Sequence, residues 1–196
     1  SELAVLMHAQ LLENKSDGLK ILSEFLKKNP KSREVRLTYA RMLFEQSKVA
    51  ESKKEFRTLL QQSPNDQTSL YALGLLMAQT NEIGEAEKYL STYIQNLKGQ
   101  PDRERDASQA LMILAQIAED RNDTTAAMAW LNMVATTSQN GATNAALKRA
   151  QLLAKGGKLN DARALLNQTD VENDDERIKL IIGEAQLLRD ADKLSD

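Results

Sequence analysis

One histidine and no cysteine leave this 196-residue chain little with which to ligate a metal or activate a nucleophile. His8 has no second imidazole to join it in a metal site or a triad, and no neighbouring carboxylate stands in an obvious relation to it. It reads as a surface or packed side chain. The lack of cysteine excludes disulfides, thiol catalysis and thiolate-bound metals, and leaves the redox compartment open. No glycine-rich phosphate loop, Gly-x-Ser-x-Gly or His-Glu-x-x-His occurs. Carboxylates are plentiful only beside cations, as where Glu51 and Glu55 flank Lys53 and Lys54, a pattern expected of solvated helix faces. The densest acidic run, Asp170 to Glu176, could hold a cation, but its spacing departs from the calcium-loop pattern and it lacks the glycine of that turn. The simpler reading is a linker that places carboxylates at a helix N-terminus, where the dipole favours them. The expectation is a non-catalytic chain with no cofactor and no metal.

Composition narrows the partners. A formal charge of −2 and a pI near 5.6 give none of the basic footprint through which proteins displace counterions from nucleic acid, so nucleic acid is not an expected partner. The longest apolar runs, such as Leu73 to Ala78, are far short of the ~20 residues that span a bilayer. Ser1-Glu2-Leu3 lacks the basic start and apolar stretch of a signal peptide. An excised upstream leader is compatible with the missing initiator Met, so the compartment, cytoplasmic or periplasmic, stays undetermined. Hydrophobic content of 41%, aromatics at 4%, three prolines and eight glycines suit helices built on Ala and Leu.

Those helices recur. Lys27-Lys28-Asn29-Pro30 and Gln61-Gln62-Ser63-Pro64 each close an apolar helical pattern, and the two prolines lie 34 positions apart. A period of that length is the mark of an array. In the unit from Arg33 to Asp66, Val35, Leu37, Tyr39, Ala40, Leu43 and Phe44 belong to a first helix, and Phe56, Leu59 and Leu60 to a second. Ser52 is the small residue where the two cross, with a limit that is steric rather than chemical. Gly74 costs about 1 kcal/mol relative to Ala inside a helix, so close packing must require it. Ala86, Ala127 and Ala162 are each followed four positions later by Leu90, Leu131 and Leu166. The longer interval from Ala86 to Ala127 places about seven inserted residues in a connection from Asn96 to Asp106, around Pro101 and Asp102. Trp130, Met112, Met128 and Met133 fall at helical spacing and read first as core or inter-repeat packing, with a ligand platform at Trp130 and an adaptable binding surface at the methionines as the alternatives.

A small residue in a first helix, another near the start of a second, leucine or an aromatic four positions on, and a closing proline together resemble the tetratricopeptide repeat. The resemblance covers nearly the whole chain. It departs at Ser52, at Arg36 where a large apolar residue is common, and in the later units, which lack the proline. It implies an all-α, right-handed superhelix of about five helix pairs plus a C-terminal helix, forming a single solenoid over 1–196. The repeats fall at approximately 1–32, 33–66, 67–100, 107–141 and 142–173, with a partial repeat at 175–196. Pentatricopeptide repeats have a similar length but read RNA, which the acidic balance disfavours. Ala150-Gln-Leu-Leu153 and Lys158-Leu-Asn-Asp161 are echoed 35 residues on by Ala185-Gln-Leu-Leu188 and Lys193-Leu-Ser-Asp196. This leads to the expectation of a fragment of a longer array. The alternative is an array whose last helix serves as a solvating cap, disfavoured because Ile178, Leu180, Ile181 and Ile182 are too apolar for a polar outer face. The alanine-, glutamine- and threonine-rich usage suggests a bacterial chain. At the other end, Leu3 to Met7 is expected to begin a helix without a cap, and Ala9-Gln-Leu-Leu12 to open a unit whose turn is shortened or shifted.

Carrying the family's groove positions onto this chain implies a wall of Leu37, Arg41 and Phe44, then Tyr71, Leu75 and Ala78, then Met112, Gln116 and Glu119, then Leu147, Gln151 and Lys155. Chaperone-binding relatives clamp a terminal carboxylate with lysines, asparagines and an arginine. Here Arg41, Lys148 and Lys155 are the only candidates and the asparagines are missing, so such a clamp is not expected. A peptide anchored on Phe44, Tyr71 and Met112 fits better, against the alternative that Phe44 and Tyr71 only fill gaps between repeats. The functional expectation is a protein-interaction scaffold holding a peptide or partner protein in this groove. The alternatives are a regulatory or assembly region of a larger enzyme or secretion or envelope complex, and a self-associating module that meets other copies through exposed repeat ends.

Overall fold

The computed structural model describes residues 1–98, 107–137 and 139–193. Most of the connection expected around Pro101 lies outside the described residues. Among them are eleven helices: α1 (Glu2–Leu11), α2 (Lys15–Lys28), α3 (Arg33–Glu45), α4 (Val49–Gln62), α5 (Gln67–Gln79), α6 (Ile83–Leu97), α7 (Ser108–Asp120), α8 (Thr124–Thr137), α9 (Gln139–Lys155), α10 (Leu159–Gln168) and α11 (Asp174–Lys193). The fold is all-α. α2 and α4 stop two residues before Pro30 and Pro64, because the residue before a proline is pushed out of the helical region. Side chains close several N-termini: Asn14 accepts from the Ser16 N–H at 3.0 Å, Asp66 from Ser69 at 2.9 Å and Asp123 from Ala126 at 2.9 Å. The expectation of an uncapped first helix is corrected, since Ser1 Oγ accepts from the Ala4 N–H at 3.4 Å. In the acidic run Asn173 caps α11 by accepting from the Glu176 N–H at 2.9 Å, with Asp174, Asp175 and Glu176 in the first turn. Among the described residues no three His, Asp or Glu side chains gather as a metal site would need.

Four of the turns between paired helices share one backbone device. Ser47, Asn81, Asn122 and Gly157 have φ of 59°, 60°, 60° and 76°, the left-handed region. The next residue's N–H then reaches back to close the helix end, Lys48 to Leu43 O at 2.9 Å, Glu82 to Met77 O at 2.8 Å, Asp123 to Ala118 O at 2.8 Å and Lys158 to Leu153 O at 2.9 Å. This is the Schellman closure, which satisfies carbonyls that a helix end leaves unpaired. Its position one residue before each second helix makes the hairpins alike.

Past each turn the small residues set the helix separation. Ala40 and Ser52, Gly74 and Ala86, Ala115 and Ala127, and Ala150 and Ala162 stand twelve positions apart in every case, and all eight are buried. A Cβ on Gly74 would overlap the Leu90 side chain, so α5 and α6 approach as closely as their backbones permit. At Ser52 the steric reading is incomplete, because its hydroxyl also donates to Ala40 O at 2.7 Å. The shortened first turn is bridged by another close approach, in which a Cβ on Gly18 would lie 2.6 Å from Ala9 O. Leucines such as Leu43, Leu59, Leu90, Leu131 and Leu166 fill the interior, each fully buried and each stabilising by about 1.5–3 kcal/mol.

The chain divides into two compact units, 1–96 and 97–196. In the first, α1 to α3 share a core of Ala9, Leu19, Leu22, Leu26, Val35, Met42 and Leu43. In the second, Ala146, Ala150, Ala162, Leu166, Leu180 and Leu187 join α9, α10 and α11. Charged side chains also tie repeats together, which corrects the reading of Lys53 and Glu55 as solvated. Lys53 is 7% exposed, donates to Thr80 Oγ1 at 2.6 Å and pairs with Glu82 in the next turn. Glu55 pairs with Arg36, whose guanidinium also donates to Pro30 O at 2.8 Å. The same carbonyl accepts from Gln62 Nε2 at 3.1 Å. Arg36 thus replaces an apolar residue with a polar clamp across α3, α4 and the Pro30 turn.

Candidate functional site

In the first unit α3 and α5 flank a cavity of 340 Å³ whose base is closed by Phe56 of α4. Arg41, Phe44 and Glu45 come from α3, and Ala72, Leu75, Leu76 and Gln79 from α5. Positions 41, 44 and 45 share a face because a helix brings residues three and four apart together. Phe44 is 41% exposed, an apolar ring facing solvent above an apolar floor. Arg41, Glu45 and Gln79 are exposed. Of the groove candidates in this unit, Arg41, Phe44 and Leu75 therefore converge on one cavity. Leu37 is 7% exposed and buried in the interior. Tyr71 is half-buried and packs its ring on Tyr93 of α6, centroids 5.2 Å apart, and burial raises its pKa.

In the second unit the candidates form a polar bridge. Lys148 of α9 donates to Gln116 Oε1 of α7 at 2.9 Å and to Glu119 at 3.5 Å, and Lys155 donates to Glu119 at 2.7 Å. Glu119 has a lowered pKa because the Lys155 hydrogen bond and the two ammonium charges outweigh its partial burial. Gln116 also donates to Asp120 at 2.8 Å. Met112 and Leu147 are half-buried, and Leu147 lies so close to Gly183 of α11 that a Cβ there would overlap it. Gln151 and Lys155 line a second cavity, of 290 Å³, with Gln186, Leu187 and Asp190 of α11. Sequence reasoning did not single out those α11 residues, nor Ala72, Leu76 and Gln79. Their signal was their register, four residues from Leu75 in the case of Gln79.

The profile of the tetratricopeptide repeat matches residues 40–101 and 102–142. The chain belongs to the tetratricopeptide repeat family. No curated protein sequence matches it. Among solved structures it is similar to the MamA protein, with a TM-score of 0.70 at 12% identity over 96% of this chain and 94% of that one. It is also similar to YrrB, described as a tetratricopeptide protein with an unusual peptide-binding site, with a TM-score of 0.64 at 13% identity over 87% and 84%. A third likeness is to Pseudomonas aeruginosa pilF, with a TM-score of 0.64 at 18% identity over 97% and 86%. These likenesses establish the fold. A tetratricopeptide fold supports a repeat scaffold for protein interaction, with proteins or peptides as its partners. Within it, Lys148 and Lys155 are held by Glu119, so a ligand carboxylate would have to compete with a carboxylate already in place. No helix among the described residues is long and apolar enough to cross a membrane.

Proposed function

We propose that this chain is a non-catalytic scaffold that holds a peptide segment of a partner protein in the groove between α3 and α5. The observation that carries this reading is Phe44, 41% exposed at a cavity lined by Leu75, Leu76 and Phe56. Leaving a ring of that size in water costs free energy that a ligand's apolar side chain recovers on binding. Arg41, Glu45 and Gln79 at the rim have no ion pair or hydrogen bond to another described side chain, so they supply donors and acceptors for a bound backbone. The Glu119 cluster differs, because its charges already satisfy one another.

The test is a selection of random peptides on the intact chain, followed by affinity measurement against Phe44→Ala and Leu75→Ala variants. Selected peptides should share an apolar anchor, and either substitution should weaken binding by roughly tenfold or more, the usual scale of an anchoring contact. Thermal melting should change little for Phe44→Ala because the ring is half in solvent. Peptides that bind both variants as well as the parent would reject this groove.

A further inference from the structure

The cavity of 290 Å³ between α9 and α11 is built from the same repeat positions as the α3–α5 groove. On the register of the small residues, Ala40 matches Ala150 and Gly74 matches Ala185. Arg41, Phe44 and Glu45 then become Gln151, Ala154 and Lys155, and Ala72, Leu75 and Gln79 become Gly183, Gln186 and Asp190. Each of these residues lines its own cavity. The apolar anchor is gone, because Ala154 and Gln186 stand where Phe44 and Leu75 do. Leu159 and Leu187 keep an apolar base under two exposed amides and two exposed charges.

The helix that follows each pair leaves these positions open. α6 packs its Leu90 on Gly74 of α5, yet Gln79 stays exposed at the groove. α10 packs its Ala162 and Leu166 on α9, yet Gln151 and Lys155 stay exposed. A helix packed on the far side of α11 would leave Gln186 and Asp190 open in the same way.

The charges decide what the cavity can take. Between α7 and α9 the same positions are closed by the chain itself. Glu119 takes the place of Phe44 there, Lys148 that of Ala72 and Lys155 that of Gln79, and both lysines reach across to Glu119. Lys155 thus belongs to two neighbouring sites, and its ammonium is given at 2.7 Å to a carboxylate that does not line the α9–α11 cavity. Glu184 of α11 is likewise neutralised, by Arg163 at 2.7 Å. The Asp190 side chain has no hydrogen bond or ion pair to another described residue. The cavity therefore offers one uncompensated carboxylate, two amide oxygens and an apolar base. Long cationic side chains match that set, since they carry an aliphatic stem and a charged head that only donates.

We propose that the α9–α11 cavity receives a lysine or arginine side chain from a peptide segment of a partner protein. Its stem lies on Leu159 and Leu187, and its head donates to Asp190 and to the amide oxygens of Gln151 and Gln186. Glu119 is a positioning residue, which keeps the Lys155 ammonium from repelling that head. The site is separate from the α3–α5 groove and does not rest on it.

The test uses the intact chain and capped octapeptide pools in which one position is fixed as Lys, Arg, norleucine or Glu and the others are random. Fluorescence anisotropy gives the affinity, and the side-chain amide NMR signals of Gln151 and Gln186 report the site. Lys and Arg pools should bind about fivefold more tightly than norleucine or Glu pools, the upper scale of an exposed ion pair. They should also move both amide signals and weaken with added salt. Asp190→Asn should abolish the preference and Asp190→Lys should transfer it to Glu, with melting temperature held because Asp190 is exposed. Glu119→Gln should weaken Lys binding, and adding Lys155→Gln should restore it, a rescue that damaged folding would not give. No preference for Lys or Arg, a preference for Glu in the parent, or a Lys preference that survives Asp190→Asn overturns the proposal. Phe44→Ala should leave the preference intact, so failure of the groove reading is distinguishable from failure here.

Discussion

Asp66 has two tasks that a sequence cannot show together. One oxygen accepts the Ser69 N–H at 2.9 Å and caps α5, and the other pairs with Arg33 at the start of the preceding repeat. Its burial works against ionisation, but Arg33 and the Ser69 donors outweigh that and lower its pKa. Asp66→Ala should cost about 1–2 kcal/mol, mostly from the lost cap, since Arg33 is 43% exposed and its pair is weakened by solvent. Asp66→Asn should cost less, because the amide oxygen keeps the cap; urea denaturation of the two variants measures the difference. An equal loss for both would place the stabilisation in the ion pair. Arg36, Lys53 and Glu55 teach a related lesson. In sequence they look like any alternation of charge on a wet helix, and only the neighbouring turn, reached across Pro30 or Thr80, makes them partners.

At the scale of the element, the left-handed turn residue is the most exposed weakness. Asn81 and Asn122 tolerate that backbone because a short polar side chain can bond locally, and Gly157 has no Cβ to clash. Ser47 has neither advantage to the same degree. Ser47→Gly should therefore raise stability by up to about 1 kcal/mol, and Asn81→Gly by less, in matched thermal and urea unfolding. A destabilised Ser47→Gly would mean that chain entropy lost by the added glycine outweighs the relieved strain. Helices and turns of this kind were legible early, since each hairpin repeats the small residue, the leucine and the turn at nearly fixed intervals. The cap at Ser1 was harder to see, because it occurs once and has no second copy to confirm it.

At the scale of the whole molecule, acid should act on both units through carboxylates that are held ionised. Asp66 in the first unit and Glu119 in the second both have lowered pKa values. A group whose folded pKa is depressed contributes stability above its unfolded pKa, near 3.8 for Asp and 4.5 for Glu, and loses it as pH falls through the folded value. Melting temperature should accordingly hold near neutrality and fall below about pH 4.5, and Glu119→Gln should flatten that fall by removing the group that titrates. An unaltered acid limb in Glu119→Gln would show that its bridge to Lys148 and Lys155 adds nothing to folding. The amino-acid sequence by itself determined the family, the helix pairs and the small residues at their crossings, because these depend on contacts between neighbours in the chain that recur with the period. Only the tertiary structure decided which candidates meet. It buried Leu37, set Tyr71 on Tyr93, opened Phe44 and Leu75 onto one cavity and closed Lys148 and Lys155 onto Glu119. The physical reason is that a helical period assigns a side chain to a face, whereas its exposure and charge partner depend on how the next helix crosses that face.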